Sequence, residues 1–273
     1  MSEKRYLRAF YYGDSGVGKT YFVGTFQLDP RSGPMIYLHA EGQKVTLDLL
    51  PERPYIVELD KLSDMNFPYN WLLQGQPLGK GGPLCTEYLA EWGERHEVEN
   101  PKFKTVAIDS VTYVQRLSQD KIVGNTSTLP GDIPKAAQRQ HWGKIFAQLV
   151  NMTQLFKRLP MHLILTTICK RATIQEFGMA TAYPFIWGQG GAEIPSLMEM
   201  SGMLVAPDEL NIQQQKALES QGVKDAFNVM LIKRAAGRVT KWQGVRNPPP
   251  VMVGPTATKV LDVFYEGREE SAP

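Results

Sequence analysis

Apolar and polar positions divide this chain into short apolar runs separated by longer mixed segments. Tyr6–Tyr12, Met35–Glu41, Phe103–Ser110, His162–Ile168 and Asn228–Ile232 are each short, apolar or aromatic, and bounded by polar or turn-forming residues, so they read as strands. Thr20–Phe26, a segment near Thr86–His96 and a longer one from about Gln138 to Arg158 read as helices. The longest carries Trp142, Ile145, Phe146, Leu149 and Leu155 at helical spacing, with basic residues on its wet face. Strands alternating with helices predict an α/β fold with a mainly parallel central sheet flanked by helices.

Three stretches break that alternation. Residues 61–102 hold a glycine-rich run and read as a loop-rich excursion of the core rather than a separate domain. Residues 123–137 and 170–190 read as loops. Pro248-Pro249-Pro250 marks the end of the core, so the chain divides into a domain over 1–250 and a C-terminal extension over 251–273 with a short acidic tail. No internal repeat, heptad run or extended low-complexity tract is visible.

The loop after the first strand carries chemistry. Residues 13–20 read Gly-Asp-Ser-Gly-Val-Gly-Lys-Thr, a complete G-x-x-x-x-G-K-[ST]. Strand, glycine loop and helix follow one another as a phosphate-binding loop requires. Gly13, Asp14, Ser15, Gly16, Val17 and Gly18 would turn backbone N–H groups inward onto phosphate oxygens. Lys19 would reach the β- and γ-phosphates, and the Thr20 hydroxyl would ligate Mg²⁺. The bland reading is a glycine-rich turn with an incidental lysine.

A nucleotide hydrolase needs further carboxylates. The strand ending in Asp109 supplies one, a second Mg²⁺-side ligand acting through water; an Asp capping the following helix is the alternative. Ser110, not Glu, follows it, so the group that orients the attacking water must come from elsewhere. Glu41 ends the strand after the phosphate-loop helix, and strand C-termini line the ligand crevice of an open parallel sheet. Glu41 is therefore assigned the water; a solvated strand-end carboxylate is the alternative. Thr166 and Thr167, at the end of the His162–Ile168 strand, are candidate γ-phosphate sensors or simply good strand residues.

Taken together, these residues resemble the RecA-like P-loop ATPases. The loop Gly13–Thr20, the strand ending Ala40-Glu41, the strand ending Asp109-Ser110 and the later sensor strand occur in that family's order. Ile108–Thr112 and Trp142-Gly143-Lys144 are similar to the short phage-encoded RecA-like proteins of single-strand annealing and recombination. The likeness covers roughly residues 5–245. Thr167 departs from the family, standing where RecA has a nucleotide-sensing Gln. The resemblance implies ATP and Mg²⁺ as cofactors, a homo-oligomer (ring or filament), and a basic finger contributed in trans. Lys241 and Arg246 are the candidates for that finger, with Lys233-Arg234 as the rival pair and a solvated basic hairpin as the bland reading. It also implies single-stranded DNA at the loops near 123–140 and 170–190, so Lys135, Arg139, Lys170, Arg171 and Phe177 become candidate DNA contacts. A single-strand-binding protein is a possible further partner.

Composition adds one point to this picture. The chain has 273 residues, 30 Lys+Arg and 28 Asp+Glu, for a net charge of +2. That excludes a uniformly basic coat but hides the distribution. Residues 133–175 hold seven basic residues and no acid, and residues 226–261 hold six and no acid. Such blocks suit a nucleic-acid strand or a basic oligomer interface. Cys85 and Cys169 form no CxxC pair and point to a reducing cytosol, which the resemblance implies is bacterial or phage-infected. No apolar run approaches the roughly 20 residues of a membrane span. The four histidines lack metal-ligand spacing. Two other readings remain open: a nucleotide-switched assembly protein whose basic blocks bind protein partners, and a P-loop nucleotide kinase.

Overall fold

A computed structural model of the chain describes residues 5–41, 45–77, 84–125, 136–174, 179–210, 215–216, 228–232, 239–243 and 249–266. Among the described residues, ten strands form one sheet: β1 (Arg8–Gly13), β2 (Met35–His39), β3 (Tyr55–Glu58), β4 (Thr105–Asp109), β5 (His162–Ile174), β6 (Met179–Pro184), β7 (Met200–Val205), β8 (Val229–Leu231), β9 (Lys241–Trp242) and β10 (Val251–Val253). The main path runs β10-β8-β7-β1-β5-β4-β2-β3, with β6 paired to β5 and β9 to β7. Pairings from β7 through β3 are parallel, and β6, β8, β9 and β10 join antiparallel. The expected α/β architecture with a mainly parallel sheet is observed.

Both faces of this sheet are covered, as a parallel sheet requires. The covering helices are α1 (Lys19–Gly24), α2 (Asn66–Leu73), α3 (Leu84–His96), α4 (Val111–Val123), α5 (Arg139–Lys157), α6 (Gly190–Leu197) and α7 (Ala257–Tyr265). The alternation of β1 shows the division. Phe10 and Tyr12 pack with Val111 and Val114 of α4 and Ile145, Leu149 and Phe156 of α5. Ala9 and Tyr11 pack on the other face with Phe22 and Val23 of α1 and Val260, Leu261 and Phe264 of α7. At about 1.5–3 kcal/mol for each large side chain removed from water, these two clusters are the main favourable term in the fold.

Three expectations change. The core does not end at residue 250: β10 pairs with β8, and α7 buries Ala257, Val260, Leu261 and Phe264. Pro249 and Pro250 lead directly into β10, whose backbone pairs with that of β8. The described parts of the excursion, 61–77 and 84–102, lie on the main core and are more helical than the loop-rich reading: Trp71, Leu72, Cys85 and Leu89 lie in the cluster of α4 and α5, and Tyr88 stacks on Phe103 at 5.9 Å. The segment 170–190 is no simple loop. β5 runs on to Ile174 beyond its parallel neighbours and β6 returns along it, from Cys169 opposite Pro184 to Ile174 opposite Met179. That antiparallel partner satisfies the overhanging backbone. Tyr55–Glu58 is an edge strand that the sequence pattern alone does not single out.

Candidate active site

Gly13 is the last residue of β1, and the loop that follows turns back to start α1. A Cβ on Gly13 would sit 2.4 Å from the Leu204 carbonyl oxygen of β7, so only glycine lets the loop leave the sheet this closely. Gly16 and Gly18 both have φ of +83°, the left-handed region that turns successive N–H groups toward one centre.

Lys19 is 8% exposed. Its ammonium donates to the carbonyls of Gly13 at 3.0 Å and Asp14 at 2.7 Å. Burial lowers its pKa, opposed by the charges of Asp109, Glu41 and Asp14. A buried cation held by loop carbonyls is poised to exchange them for phosphate oxygens.

Register brings the remaining parts alongside. Gly13 lies opposite Ile168 of β5, and His39 opposite Asp109 of β4. Asp109 is 1% exposed and accepts from three hydroxyls: Thr20 at 2.8 Å, Tyr37 and Thr166. Burial, then the neighbouring Asp109 charge, raises the Tyr37 phenol well above its ordinary pKa, so it stays a donor. The Ala40 N–H donates to the Asp109 carbonyl at 2.9 Å, which carries Glu41 past the end of β2 to Ser110. There the Ser110 hydroxyl donates to Glu41 Oε1 at 3.1 Å. Burial and the Asp109 charge raise the Glu41 pKa, against the Ser110 hydrogen bond and the charges of Lys19 and Arg116.

These groups open on a cavity of about 670 Å³ lined by Lys19, Thr20, Glu41, Tyr113 and Ile168, with Tyr21, Thr46 and Leu49 at its rim. Its size is that of a small-molecule site. The Thr20 hydroxyl and the Asp109 carboxylate together are a hard oxygen pair, and Mg²⁺ is bound by one or two carboxylates plus substrate phosphates. The residues present therefore fit that ion. Among the described residues no cluster of three or more His, Cys, Asp or Glu could hold a metal by itself.

The structure brings Gly13, Asp14, Ser15, Gly16, Val17, Gly18, Lys19, Thr20, Glu41 and Asp109 into one place. It does not bring Lys241 there. β9 pairs with the first residues of β7, Met200 and Ser201, whereas the phosphate loop starts beside Leu204 near the other end of that strand. The Lys241 ammonium donates instead to the Ser196 carbonyl at 2.8 Å. Arg246, Lys233, Arg234, Lys135 and Phe177 lie outside the described residues. Arg139 is exposed at the first turn of α5. Lys170 lies 5.7 Å from the ring centroids of both Phe185 and Trp187. Arg171 is not a free cation on a DNA face: it pairs with Asp14 at 2.5 Å and with Glu209.

Sequence reasoning missed Tyr37, because every residue of β2 is buried and no alternation marks the side that faces Asp109. It left Thr166 between phosphate sensing and a plain strand residue; the structure shows its hydroxyl donating to Asp109. It missed Thr112, whose hydroxyl bonds that of Thr167, donates to the Phe185 carbonyl and accepts from the Ile168 N–H. An Ile-Asp-Ser-Val-Thr run carries no signal for those long-range contacts.

Comparisons with known proteins bear on this cleft. Residues 5–207 match a family model described as an AAA domain. No curated protein matches the sequence significantly. The chain is similar to a type III secretion system ATPase of pathogenic bacteria, with 16% identity over 79% of this chain and 54% of that one, at a TM-score of 0.43. It is similar to a KaiC-like protein of the archaeon Pyrococcus horikoshii, with 15% identity over 90% and 88% of the two chains, at 0.39. The assembled ATPase EscN of enteropathogenic E. coli matches with 16% identity over 79% and 44%, at 0.40. This chain spans about half the length of the two secretion ATPases it matches.

Proposed function

This chain belongs to the AAA domain family, and on that premise we propose that it is a Mg²⁺-dependent, RecA-like ATPase that works as an oligomer on single-stranded DNA, in phage-type recombination, annealing or repair. The observation that carries the ATPase reading is the junction of Lys19, Thr20 and Glu41 on the wall of one cavity, with the buried Asp109 carboxylate hydrogen-bonded behind Thr20. Lys19 exchanges the Gly13 and Asp14 carbonyls for the β- and γ-phosphate oxygens. Thr20 and Asp109 would hold Mg²⁺, which when bound neutralises phosphate charge. Tyr37 and Thr166 keep the Asp109 carboxylate oriented. Glu41, fixed by Ser110, orients the attacking water and takes its proton; a carboxylate with a raised pKa is the better base near neutrality.

No helix among the described residues is long and apolar enough to cross a membrane. Beside the cavity rim, Val45 and Leu49 are 73% and 71% exposed, which favours a protein neighbour covering the mouth. In the oligomer that neighbour is a second copy, and the trans cation is Lys241 or Arg246, worth several kcal/mol in a phosphoryl-transfer transition state.

What supports DNA is an aromatic surface beside the overhang of β5. Trp142 of α5 stacks on Trp187 at 5.2 Å, Trp187 is 50% exposed, and Lys170 stands beside it. Flat rings beside cations hold single strands without sequence preference. The test is ATP hydrolysis by the full chain with and without single-stranded DNA across a salt series. Stimulation that fades with salt is expected. A rate indifferent to DNA, with no DNA binding at low salt, removes the recombination reading and leaves the nucleotide-switched assembly protein, with its exposed apolar rim, in its place.

A further inference from the structure

Three strands are neighbours in the sheet, β7, β1 and β5; β7 and β1 end side by side, β5 runs past them, and one cation ties their extensions together. Arg171 belongs to the overhang of β5, three residues past the Ile168–Gly13 pair. Its guanidinium meets Asp14, the second residue of the phosphate loop, and Glu209, in the turn that follows β7. Asp14 is thus held at two points. Its carboxylate is on Arg171, and its carbonyl accepts from the Lys19 ammonium at 2.7 Å.

The strand geometry gives this contact a second end. Successive side chains of a strand point to opposite faces. Arg171 turns to the phosphate loop, while Lys170 turns to Phe185 and Trp187 on the return of the β5–β6 hairpin. One residue step therefore joins the nucleotide loop to the exposed aromatic surface.

We propose that the Asp14–Arg171–Glu209 bridge is a coupling device that transmits nucleotide occupancy of the phosphate loop to the β5–β6 hairpin. This rests on the nucleotide-binding reading above. A bound phosphate takes the Lys19 ammonium away from the Asp14 carbonyl and sets new negative charge beside the Asp14 carboxylate. The peptide at Asp14 loses a partner, and the guanidinium is drawn toward the phosphates. Arg171 and its carboxylates are partly exposed, and exposed ion pairs are weak, so the rearrangement is accessible at ordinary nucleotide concentration. The movement is passed along β5 to Lys170 and to the Trp187 surface.

The experiment follows Trp187 emission in the full chain as a non-hydrolysable ATP analogue with Mg²⁺ is added, with Trp187→Phe identifying the signal and calorimetry measuring analogue binding. The unmodified protein is expected to show a saturable Trp187 response. Arg171→Ala is expected to lose most of it, and Arg171→Lys to keep part, since lysine retains charge but not the forked geometry. Glu209→Gln, which leaves the phosphate loop itself untouched, is expected to weaken the response while analogue affinity changes by no more than about threefold. An unaltered response in both Arg171→Ala and Glu209→Gln overturns the proposal, as does a nucleotide-bound protein with no Trp187 response. Absence of analogue binding in the unmodified protein would instead overturn the nucleotide reading on which it rests.

Discussion

The nucleotide cleft and the aromatic surface beside the β5 overhang lie at the same end of the sheet but are built on different principles. In the cleft the polar groups at the centre are buried and held. Asp109 accepts three hydroxyls, Lys19 donates to two carbonyls, and Glu41 accepts from Ser110. Parallel strand registers place these groups, so they are assembled before any ligand arrives. The aromatic surface is held mainly by side-chain stacking, and its outermost ring, Trp187, is half exposed. Charge stabilisation in a reaction demands fixed dipoles at fixed distances. Stacking on a base tolerates small displacements, because every base has a flat face. Rigidity is therefore concentrated where phosphate would react, and exposure where a strand would lie.

Substitutions should separate the two regions. The largest effect is expected for Glu41→Gln, which leaves ATP binding but lowers turnover by roughly 10²–10⁴-fold, measured as phosphate release at saturating ATP. Normal turnover would show that the water is oriented by another group. Lys19→Ala should weaken ATP binding by roughly 100-fold, the value of a charged hydrogen bond, read by calorimetry. Trp187→Ala should cut single-stranded DNA affinity by roughly 5–100-fold while hydrolysis without DNA is unchanged; a parallel loss of basal hydrolysis would erase the distinction between the regions. Tyr37→Phe removes one of three hydroxyls on Asp109 and should reduce turnover only a few-fold, at a stability cost of about 1 kcal/mol.

Stability against pH gives a finer test. The folded-state pKa of Glu41 is raised, so between the ordinary carboxylate value and the folded value the native chain holds a proton that the unfolded chain has lost. Its contribution is therefore most favourable at low pH and declines as pH rises through that window. Glu41→Gln should melt higher than the unmodified protein at neutral pH, with the gap closing below the ordinary carboxylate range. A melting difference independent of pH would mean that Glu41 is not strained by its surroundings.

Much of the cleft was legible because its parts are local. Gly13 to Thr20 are consecutive, and their glycines announce backbone conformations no other residue adopts easily. Asp109 and Glu41 each end a short apolar run, and the crevice rule for parallel sheets tells which end of a strand faces the ligand. The same locality explains the errors. Pro248-Pro249-Pro250 looked like an end because proline stops local structure, yet the pairing of β10 with β8 depends on a partner 20 residues away in sequence. The 170–190 stretch looked like a loop because its pattern is mixed, yet β6 has a partner in the overhang of β5.

By itself the sequence determined that this chain would wind strands and helices in alternation, and that one glycine loop with a lysine and a threonine would stand at the end of the first strand. Those properties depend on residue spacing and on backbone freedom, both written along the chain. Only the tertiary structure decided that Tyr37 and Thr166 share Asp109, that Lys241 turns to the Ser196 carbonyl, and that the half-exposed Arg171 meets Asp14 and Glu209. Each of those contacts joins residues far apart in sequence. Which pair meets is set by strand order and register, and these follow from burying both faces of the sheet at once rather than from any single segment.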